Sequence, residues 1–372
     1  MRILVASGFE AESLRAHAIN TTKMAQGFVR LGHEVKVICR QSSNGKVSHQ
    51  ALAETYGLTE HMRWFQLPTS ILGCQVDQHW TFTLLGLPIA LAFRPDLVFS
   101  RNYVFPWIMS RFGIATVAES HAQPDNHTAP FKRLVEATRH KNFRLWVTIS
   151  QILAEHYHSL GVPRQKLIVL PDAVDLHLFQ RPRQLPPSPY PNSRPNVVYA
   201  GQLFDYKGIP TVLEAAARLP GLCFHLVGGT EEDIARHKLL ARDLGLKNLT
   251  FHGLKPHSAV PPFLWHADIL LLPPSRHHPS STWTSPVKLG EYLASGTPVV
   301  ATDIPALRDW LTDQQAEFVR PDDAEKLAEG IERLLADKPR AQSLRSAGPE
   351  RARELSYERR AEAILRSLKN KA

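Results

Sequence analysis

Residues 283–302 read Trp-Thr-Ser-Pro-Val-Lys-Leu-Gly-Glu-Tyr-Leu-Ala-Ser-Gly-Thr-Pro-Val-Val-Ala-Thr, which predicts a helix followed by a buried strand. Ser285 is a good N-cap, and Pro286 suits the first helical position because no hydrogen bond needs its N–H there. Gly296 is predicted to end the helix, and the apolar run 297–301 is typical of a buried parallel strand. A capped helix start attracts anions through its free N–H groups and its dipole.

Two charged residues add chemistry to this helix start. Lys288 and Glu291 are three positions apart and are predicted to share one face of the helix. A cation and a carboxylate beside an anion-binding helix end suit a ligand that carries both phosphate and a sugar diol, such as a nucleotide-sugar.

On both sides of this stretch, short β-rich runs alternate with helical segments, and the pattern occurs twice in 372 residues. It predicts an α/β protein with two doubly wound, Rossmann-like domains, each large enough to bury its own core. A helix at 20–31 is predicted after the first strand. The predicted strands are 3–6, 35–39, 97–100, 115–119, 145–149 and 168–170, then 197–200, 223–227, 249–251, 269–272, 298–301 and 317–319.

The predicted domain limits follow from composition. Six prolines between residues 180 and 195 disfavour both helix and sheet, and they predict a semi-rigid linker. The chain is therefore divided into an N-terminal domain, a linker, a C-terminal domain and a last helical segment, at 1–180, 181–195, 196–350 and 351–372.

Charge and cysteine content limit the class of protein. The net charge of +9 is concentrated in residues 1–185, where 20 Lys and Arg face 13 Asp and Glu. This excess suggests an anionic partner such as a membrane surface, a phosphorylated acceptor or nucleic acid, and simple solubility explains it equally well. Three scattered cysteines show neither a disulfide framework nor zinc spacing, which favours a reducing compartment.

One apolar run and one basic run concern the membrane. Residues 79–93 are strongly apolar but are interrupted by Gly86 and Pro88, so we expect a buried helix rather than a membrane span. Residues 131–144 are basic and aromatic, which suits either docking on anionic lipid or a solvated helix between two strands.

Further motifs complete the sequence pattern, and their order along the chain is informative. They are Gly32-His33-Glu34-Val35, Glu119-Ser120-His121, Thr148-Ile149-Ser150, Pro171-Asp172-Ala173-Val174-Asp175 and Gly201-Gln202-Leu203-Phe204-Asp205-Tyr206-Lys207-Gly208. Together with residues 283–302 they resemble the retaining GT-B glycosyltransferases of family 4, and the resemblance runs from about residue 2 to the C-terminus.

The resemblance implies a fold and an activity. The fold is GT-B, with two Rossmann-like domains facing a central cleft, an N-terminal domain on the acceptor side, a C-terminal domain that binds nucleotide-sugar, and a last helix that packs back on the N-terminal domain. The activity is that of a hexosyltransferase-type enzyme, which moves a sugar with retention from a nucleotide diphosphate to a lipid-linked or polysaccharide-precursor acceptor. A cytoplasmic location follows, with the basic N-terminal domain on an anionic membrane surface.

No metal or other cofactor is expected, because the family stabilises the diphosphate with a helix dipole and lysines. The sequence agrees, since it has no Asp-x-Asp and no metal-ligand spacing. No nucleic-acid-binding module is recognised, so nucleic acid is not an expected partner.

The resemblance also implies roles for individual residues. Glu291 holds the ribose hydroxyls, Lys207 the donor diphosphate, and His121 the donor sugar, and these three are the catalytic candidates. The donor-binding candidates are Gly8, Gln202, Lys207, Gly253, Ser285, Pro286, Lys288 and Glu291. The acceptor-side candidates are Arg15, His17 and Arg101.

Simpler interpretations of some candidates stay open. His121 is also consistent with a structural histidine, and Lys207 with an exposed lysine in a turn. Gly8 is also consistent with an ordinary turn after the first strand. Arg15 and His17 suit a solvated helix start capped by Asn20.

Two positions depart from the family pattern. Trp283 stands where most members have a first glutamate, and Gln202 where most have an arginine. Lys288 is predicted to replace the missing diphosphate cation. These departures leave one rival from a different class, a GT-B scaffold that binds nucleotide-sugar without transferase activity.

Overall fold

The computed structural model describes residues 1–71, 73–123, 128–191 and 194–369. The chain divides into two compact units, one formed by residues 1–173 with the segment from Tyr357 onward, the other by residues 174–356. Each unit contains one parallel sheet and many helices, so the prediction of two doubly wound α/β domains is confirmed.

The first unit contains a seven-stranded parallel sheet, in the order β3-β2-β1-β6-β7-β8-β9, and a two-stranded hairpin, β4-β5. Its strands are β1 (Arg2–Glu10), β2 (Glu34–Arg40), β3 (Arg63–Leu67), β4 (Ser70–Ile71), β5 (Cys74–Gln75), β6 (Leu97–Ser100), β7 (Ala115–Ser120), β8 (Phe143–Thr148) and β9 (Leu167–Val169).

The second unit contains a six-stranded parallel sheet in the order β12-β11-β10-β13-β14-β15. Its strands are β10 (Asn196–Ala200), β11 (Cys223–Val227), β12 (Leu249–Gly253), β13 (Ile269–Leu272), β14 (Val299–Thr302) and β15 (Glu317–Val319).

The helices connect these strands in both units, as parallel sheets require. They are α1 (Ala16–Arg30), α2 (His49–Tyr56), α3 (Trp80–Phe93), α4 (Val104–Arg111), α5 (Ala129–Ala137), α6 (Gln151–Ser159), α7 (Leu176–Phe179), α8 (Ile209–Arg218), α9 (Glu231–Asp243), α10 (Pro261–Trp265), α11 (Val287–Ser295), α12 (Pro305–Arg308), α13 (Ala324–Ala336), α14 (Lys338–Glu354) and α15 (Tyr357–Lys369). Short 3₁₀ turns lie at Arg164–Lys166, Asp205–Lys207, His257–Ala259 and Pro279–Thr282.

All twelve predicted strands are present, but β3 and the hairpin were not predicted. Arg-Trp-Phe-Gln-Leu in β3 forms an edge strand that is mostly half-exposed, so its sequence lacks both a continuous apolar run and a clean alternation. The helix predicted at 20–31 begins earlier, at Ala16, with Arg15 in the N-cap position. Asn20 therefore lies inside α1 and is not its cap.

The domain limits in the structure differ from those predicted from the prolines. The first unit ends at Ala173, which is buried in its core, and Val174 is buried in the core of the second. Within the predicted semi-rigid linker, Tyr190 is also buried in the second core, whereas residues 181–184 and 187–188 are exposed. Residues 192–193 of that linker and 370–372 of the predicted last segment lie outside the described residues.

Helix α15 belongs to the first unit, where it packs on α1. Gly27 makes this approach close, because a Cβ built there would lie 3.0 Å from the Tyr357 carbonyl oxygen. Ala361 and Ile364 enter the same apolar core as Met24. The chain thus returns to the first sheet after completing the second.

The apolar run at 79–93 forms α3, with one face in the core. Phe82 and Ala90 are buried, whereas Leu84 on the other face is 59% exposed. Within the described part of the chain, no helix combines the length and the apolar character needed to cross a bilayer.

Candidate active site

Three glycines form a backbone floor where the neighbouring strands β10, β11 and β12 of the second sheet end. Gly201 follows β10, Gly228 follows β11, and Gly253 ends β12, all with positive φ. Gly201 donates its N–H to the Val227 carbonyl and Gly228 to the Gly253 carbonyl, both over 2.8 Å. A Cβ on Gly228 would lie 2.3 Å from the Gly201 carbonyl oxygen, so no larger residue fits. Ligands of open α/β sheets bind at this carboxyl edge.

Two lysines lie beside this floor. The Lys288 ammonium lies 3.7 Å from the centre of the Tyr199 ring, and a Cβ on Gly201 would come within 2.6 Å of it. Lys207 ends the 3₁₀ turn that follows Gly201, with its ammonium 5.0 Å from the Tyr206 ring. The glycine therefore leaves room for a lysine that comes from a different element.

The two lysines repel each other. Burial lowers the pKa of Lys207. Burial and then the charge of Lys207 hold the pKa of Lys288 well below its usual range, although Glu291 acts in the opposite direction. Within the described ranges, neither lysine has a carboxylate within ion-pair distance. An anion bound between them would relieve this repulsion.

Glu291 faces a histidine and not Lys288. Its Oε1 accepts a hydrogen bond from His257 Nε2 over 2.7 Å, and both residues are 7% exposed. The His257 ring also packs on Phe179, with 5.0 Å between ring centres. Lys288 and Glu291 were predicted to share one face of the helix. In the structure their charged groups have different partners: the Lys288 ammonium lies over Tyr199, and the Glu291 carboxylate faces His257.

The start of α11 differs by one residue from the prediction. Pro286 occupies the N-cap position, α11 begins at Val287, and no side chain caps the helix. Ser285 is buried one position earlier, so it is not the N-cap. The proline fixes its own φ at −71° and its ψ is 127°, and this extended geometry places it ahead of the first turn. Gln202, also a donor-binding candidate, is half-buried, and its carbonyl accepts a hydrogen bond from the Tyr199 hydroxyl.

In the first unit, a buried charge cluster surrounds His121. Its Nε2 lies 2.6 Å from Glu119 Oε1, and its Nδ1 lies 3.2 Å from Asp172 Oδ1. The other oxygen of Glu119 accepts a hydrogen bond from Arg360 Nη1 over 2.5 Å. Asn20 donates its side-chain N–H to Asp172 over 2.6 Å. Both ring nitrogens of His121 thus face carboxylates of the protein itself.

The two carboxyls of this cluster have opposite pKa shifts. Burial alone would raise the pKa of Glu119, but Arg360 and then His121 outweigh it and hold that pKa well below its usual range. Burial raises the pKa of Asp172, and neither His121 nor Arg360 reverses this shift. Glu119 is therefore the permanent anion of the cluster, and Asp172 takes up a proton more readily.

Two acceptor-side candidates lie close to this cluster. Arg101 Nε is 3.9 Å from Glu119 Oε1, and Arg101 Nη1 donates to the His17 carbonyl over 3.5 Å. Burial, followed by Arg101 and Arg15, lowers the pKa of His17 to about 4, so the ring is neutral at pH 7. Arg15 itself is exposed at the start of α1.

The loop predicted at Gly8 is not a loop. Strand β1 continues to Glu10, so Gly8 lies within the strand, and its carbonyl accepts a hydrogen bond from Arg40 Nε over 2.8 Å. A Cβ on Gly8 would lie 2.8 Å from the Gln78 Cβ. The close packing of Gln78 explains why a glycine is needed at position 8. That Gly8 contacts the donor stays a prediction.

Four residues in these clusters were not predicted to have a role there, namely Arg360, Asp172, His257 and Tyr199. Asp172 had a visible signal, since it lies in one of the quoted motifs. Arg360 and His257 reach their partners across 241 and 34 positions. No local sequence pattern predicts pairs that are so far apart in the chain. Among the described residues, no group of three His, Cys, Asp or Glu is arranged to hold a metal ion.

Comparisons with known proteins agree with this architecture. A family described as "Glycosyltransferase Family 4" matches residues 19–178, and one described as "Glycosyl transferases group 1" matches residues 180–351. The putative colanic acid biosynthesis glycosyltransferase WcaL of Escherichia coli is 26% identical over 82% of this chain and 84% of its own.

A second relative is more similar over a shorter stretch. The lipopolysaccharide core biosynthesis glycosyltransferase LpsE of Rhizobium meliloti is 35% identical over 44% of this chain and 45% of its own, so the match spans about half of that protein. Among solved structures, HepE of Anabaena in complex with UDP superimposes with a TM-score of 0.74 at 14% identity, over all of both chains.

Proposed function

Because the chain belongs to the GT-B glycosyltransferases and is a hexosyltransferase-type enzyme, we propose that it transfers a sugar, with retention, from a nucleoside diphosphate to a glycan acceptor. The observation that carries the proposal is the pair Lys207 and Lys288 above the glycine floor of the second unit. Preorganised cations at the position where a diphosphate leaves stabilise the transition state without reorganising.

The donor-side roles follow from this arrangement. Lys207 and Lys288 bind the diphosphate, and Lys288 supplies the cation that Gln202 lacks. Glu291 accepts hydrogen bonds from the ribose hydroxyls. Gly253 offers backbone groups to the base. A UDP-sugar is the first donor to test, because the similarly folded HepE binds UDP.

The reaction at the sugar involves the first unit. His121 is proposed to contact the donor sugar, and its longer contact, 3.2 Å from Nδ1 to Asp172 Oδ1, is the one that a sugar hydroxyl would replace. Retention without a covalent intermediate requires the acceptor hydroxyl to attack on the face that the diphosphate leaves, and the departing phosphate is proposed to take the proton of that hydroxyl. This scheme includes no metal ion, and it stays a prediction that the reaction needs none.

The acceptor is proposed to be a lipid-linked or polysaccharide precursor bound on the side of Arg15, His17 and Arg101. The relatives support this class, since their names refer to lipopolysaccharide and colanic acid biosynthesis. The basic charge of residues 1–185 supports a position on an anionic membrane, with the cytoplasmic face as the predicted location.

The test is a thermal-shift screen of the whole chain against UDP-, GDP- and ADP-sugars. A ligand at about 100 times its Kd adds about 2.7 kcal/mol of stability, which a melting curve resolves. The protein with Lys207→Met and Lys288→Met is the control and is expected to lose the shift. Slow release of free sugar from the stabilising donor supports the enzyme. Binding without turnover on any acceptor would favour the non-catalytic scaffold.

A further inference from the structure

Helix α11, which carries Glu291, is fixed on two sides. The Tyr292 hydroxyl accepts a hydrogen bond from the Ala200 N–H over 2.7 Å, which ties the helix to the end of β10. On another side, a Cβ on Gly290 would lie 2.9 Å from the Val174 Cβ, so the helix backbone approaches that segment closely. The position of the Glu291 backbone is therefore set by packing, whereas its carboxylate has freedom of rotation unless a side chain holds it.

His257 is the side chain that holds the carboxylate. It comes from a different element, the 3₁₀ turn after β12, and its Nε2 donates to Glu291 Oε1. Since an ionised carboxylate only accepts hydrogen bonds, this contact requires the proton on Nε2. Within the described part of the chain, Nδ1 of His257 is buried without a hydrogen-bond partner. The bond to Glu291 is therefore the one hydrogen bond of the ring among these residues.

The carboxylate uses only one of its oxygens for this bond. Among the described residues, Oε2 of Glu291 has no hydrogen-bond donor, and Lys288 turns toward Tyr199. Oε2 is not among the fully buried side-chain atoms that lack a partner, so it stays open to a ligand, and two hydroxyl donors on adjacent carbons would bond to it. The free oxygen therefore suits a cis-diol.

Building on the function proposed above, we propose that His257 is a positioning residue for donor recognition: by holding Oε1 of Glu291, it directs Oε2 toward the 2′- and 3′-hydroxyls of the ribose. His257 itself touches no substrate, because its ring lies between Glu291 and Phe179. Its effect is on the choice between ribose and deoxyribose nucleotides.

The experiment compares each nucleoside diphosphate with its 2′-deoxy form, using UDP, GDP and ADP as probes. The wild-type protein is expected to prefer the ribose form about ten- to a hundredfold, as a hydroxyl bonded to a carboxylate predicts. His257→Phe keeps a ring against Phe179 and removes the donor, and it is expected to reduce this preference by about three- to tenfold. His257→Gln retains an N–H near Nε2 and is expected to keep most of the preference.

His257→Asn provides the same test if His257→Phe does not fold. The Asn side chain is polar but too short to reach Glu291, so this variant is also expected to reduce the preference for the ribose form. His225→Phe replaces another buried histidine of the second unit, bonded to His252 and Asn196, and is expected to leave the preference unchanged.

The outcomes separate the two proposals. If the wild-type protein prefers the ribose form and His257→Asn or His257→Phe weakens both nucleotides equally, or neither, the positioning role is wrong and the proposed function stands. If the wild-type protein binds none of the three diphosphates, the proposed function is wrong and this inference with it.

Discussion

The Arg360 guanidinium and the Glu119 carboxylate form a buried ion pair, with 2.5 Å between Nη1 and Oε2, although 241 positions separate them in the chain. Arg360 also donates from Nε to the Pro171 carbonyl, next to Asp172. One side chain of α15 thus neutralises the carboxylate that bonds His121. Helix α15 therefore does more than pack on the first unit: it supplies the charge that balances Glu119, the partner of the predicted catalytic histidine.

Arg360→Met is expected to destabilise the first unit by about 3–5 kcal/mol, because it leaves the Glu119 charge buried without its main partner. Urea denaturation at pH 7 measures this change. Arg359→Met is the matched control: that residue is exposed and pairs with Glu362 at the surface, so its loss is expected to cost about 1 kcal/mol or less. Equal effects of the two variants would contradict the charge-pair explanation.

The same pair predicts a pH dependence. The pKa of Glu119 is depressed in the folded protein, so its contribution is fully present above the unfolded value of about 4.3 and is lost as pH falls below it. Glu119→Gln is therefore expected to lower the free energy of unfolding at pH 7 and to flatten its decline below about pH 4. A decline as steep as that of the wild-type protein would show that other carboxyls control acid unfolding.

The sequence allows strands and site motifs to be predicted far better than the contacts between them. Buried parallel strands such as Cys223–Val227 are mostly apolar runs, and the limits of this strand were predicted to the residue, whereas β1 continues four residues beyond its predicted end, to Glu10. Edge strand β3 lacked such a run and was missed. Lys207, Lys288 and Gly253 were candidates because they lie in local motifs, whereas Gly228 was not a candidate and the partners Arg360 and His257 depend on three-dimensional packing. Capping was misjudged at Ser285 because Pro286 takes the N-cap itself.

Glu291→Gln tests the ribose contact directly. The substitution keeps the size of the side chain and removes the charge that strengthens its hydrogen bonds to the diol, which are worth about 1.5–3 kcal/mol. The efficiency kcat/KM for the donor is expected to fall about ten- to a hundredfold. Glu214→Gln, on the exposed face of α8, serves as the control. Unchanged kinetics with a proven donor would remove Glu291 from the ribose site.

Membrane contact is tested by sedimentation with vesicles of neutral or anionic lipid. Binding is expected only to the anionic vesicles and is expected to weaken with salt, because exposed charges are screened beyond about 10 Å at 0.1 M. Replacing Lys132, Arg133, Lys141 and Arg144 by Gln should weaken it further. The matched control replaces four exposed basic residues of the second unit, Arg218, Lys238, Arg242 and Lys247. Equal partition onto both lipids would eliminate the electrostatic argument.

The lowered pKa values of Lys207 and Lys288 predict proton uptake when a diphosphate binds. An anion favours the charged lysines and raises their pKa, so binding at alkaline pH should take up protons and should weaken as pH rises. Calorimetry in two buffers of different ionisation enthalpy measures the uptake. The same titration with the nucleoside, which has no phosphate, is expected to show none; comparable uptake with both ligands would assign it to other groups.

Lys288 is predicted to replace the diphosphate cation that is absent at Gln202. Lys288→Met keeps most of the side-chain volume over Tyr199 and deletes the charge. It is expected to weaken binding of the nucleoside diphosphate by about tenfold or more while leaving the nucleoside nearly unaffected, since only the diphosphate loses a charge-assisted contact. Adding Gln202→Arg should recover part of the loss, because the loop after β10 then supplies a cation. If both ligands lose affinity equally, Lys288 acts on the shape of the site through Tyr199 and Gly201 and not on the phosphate charge.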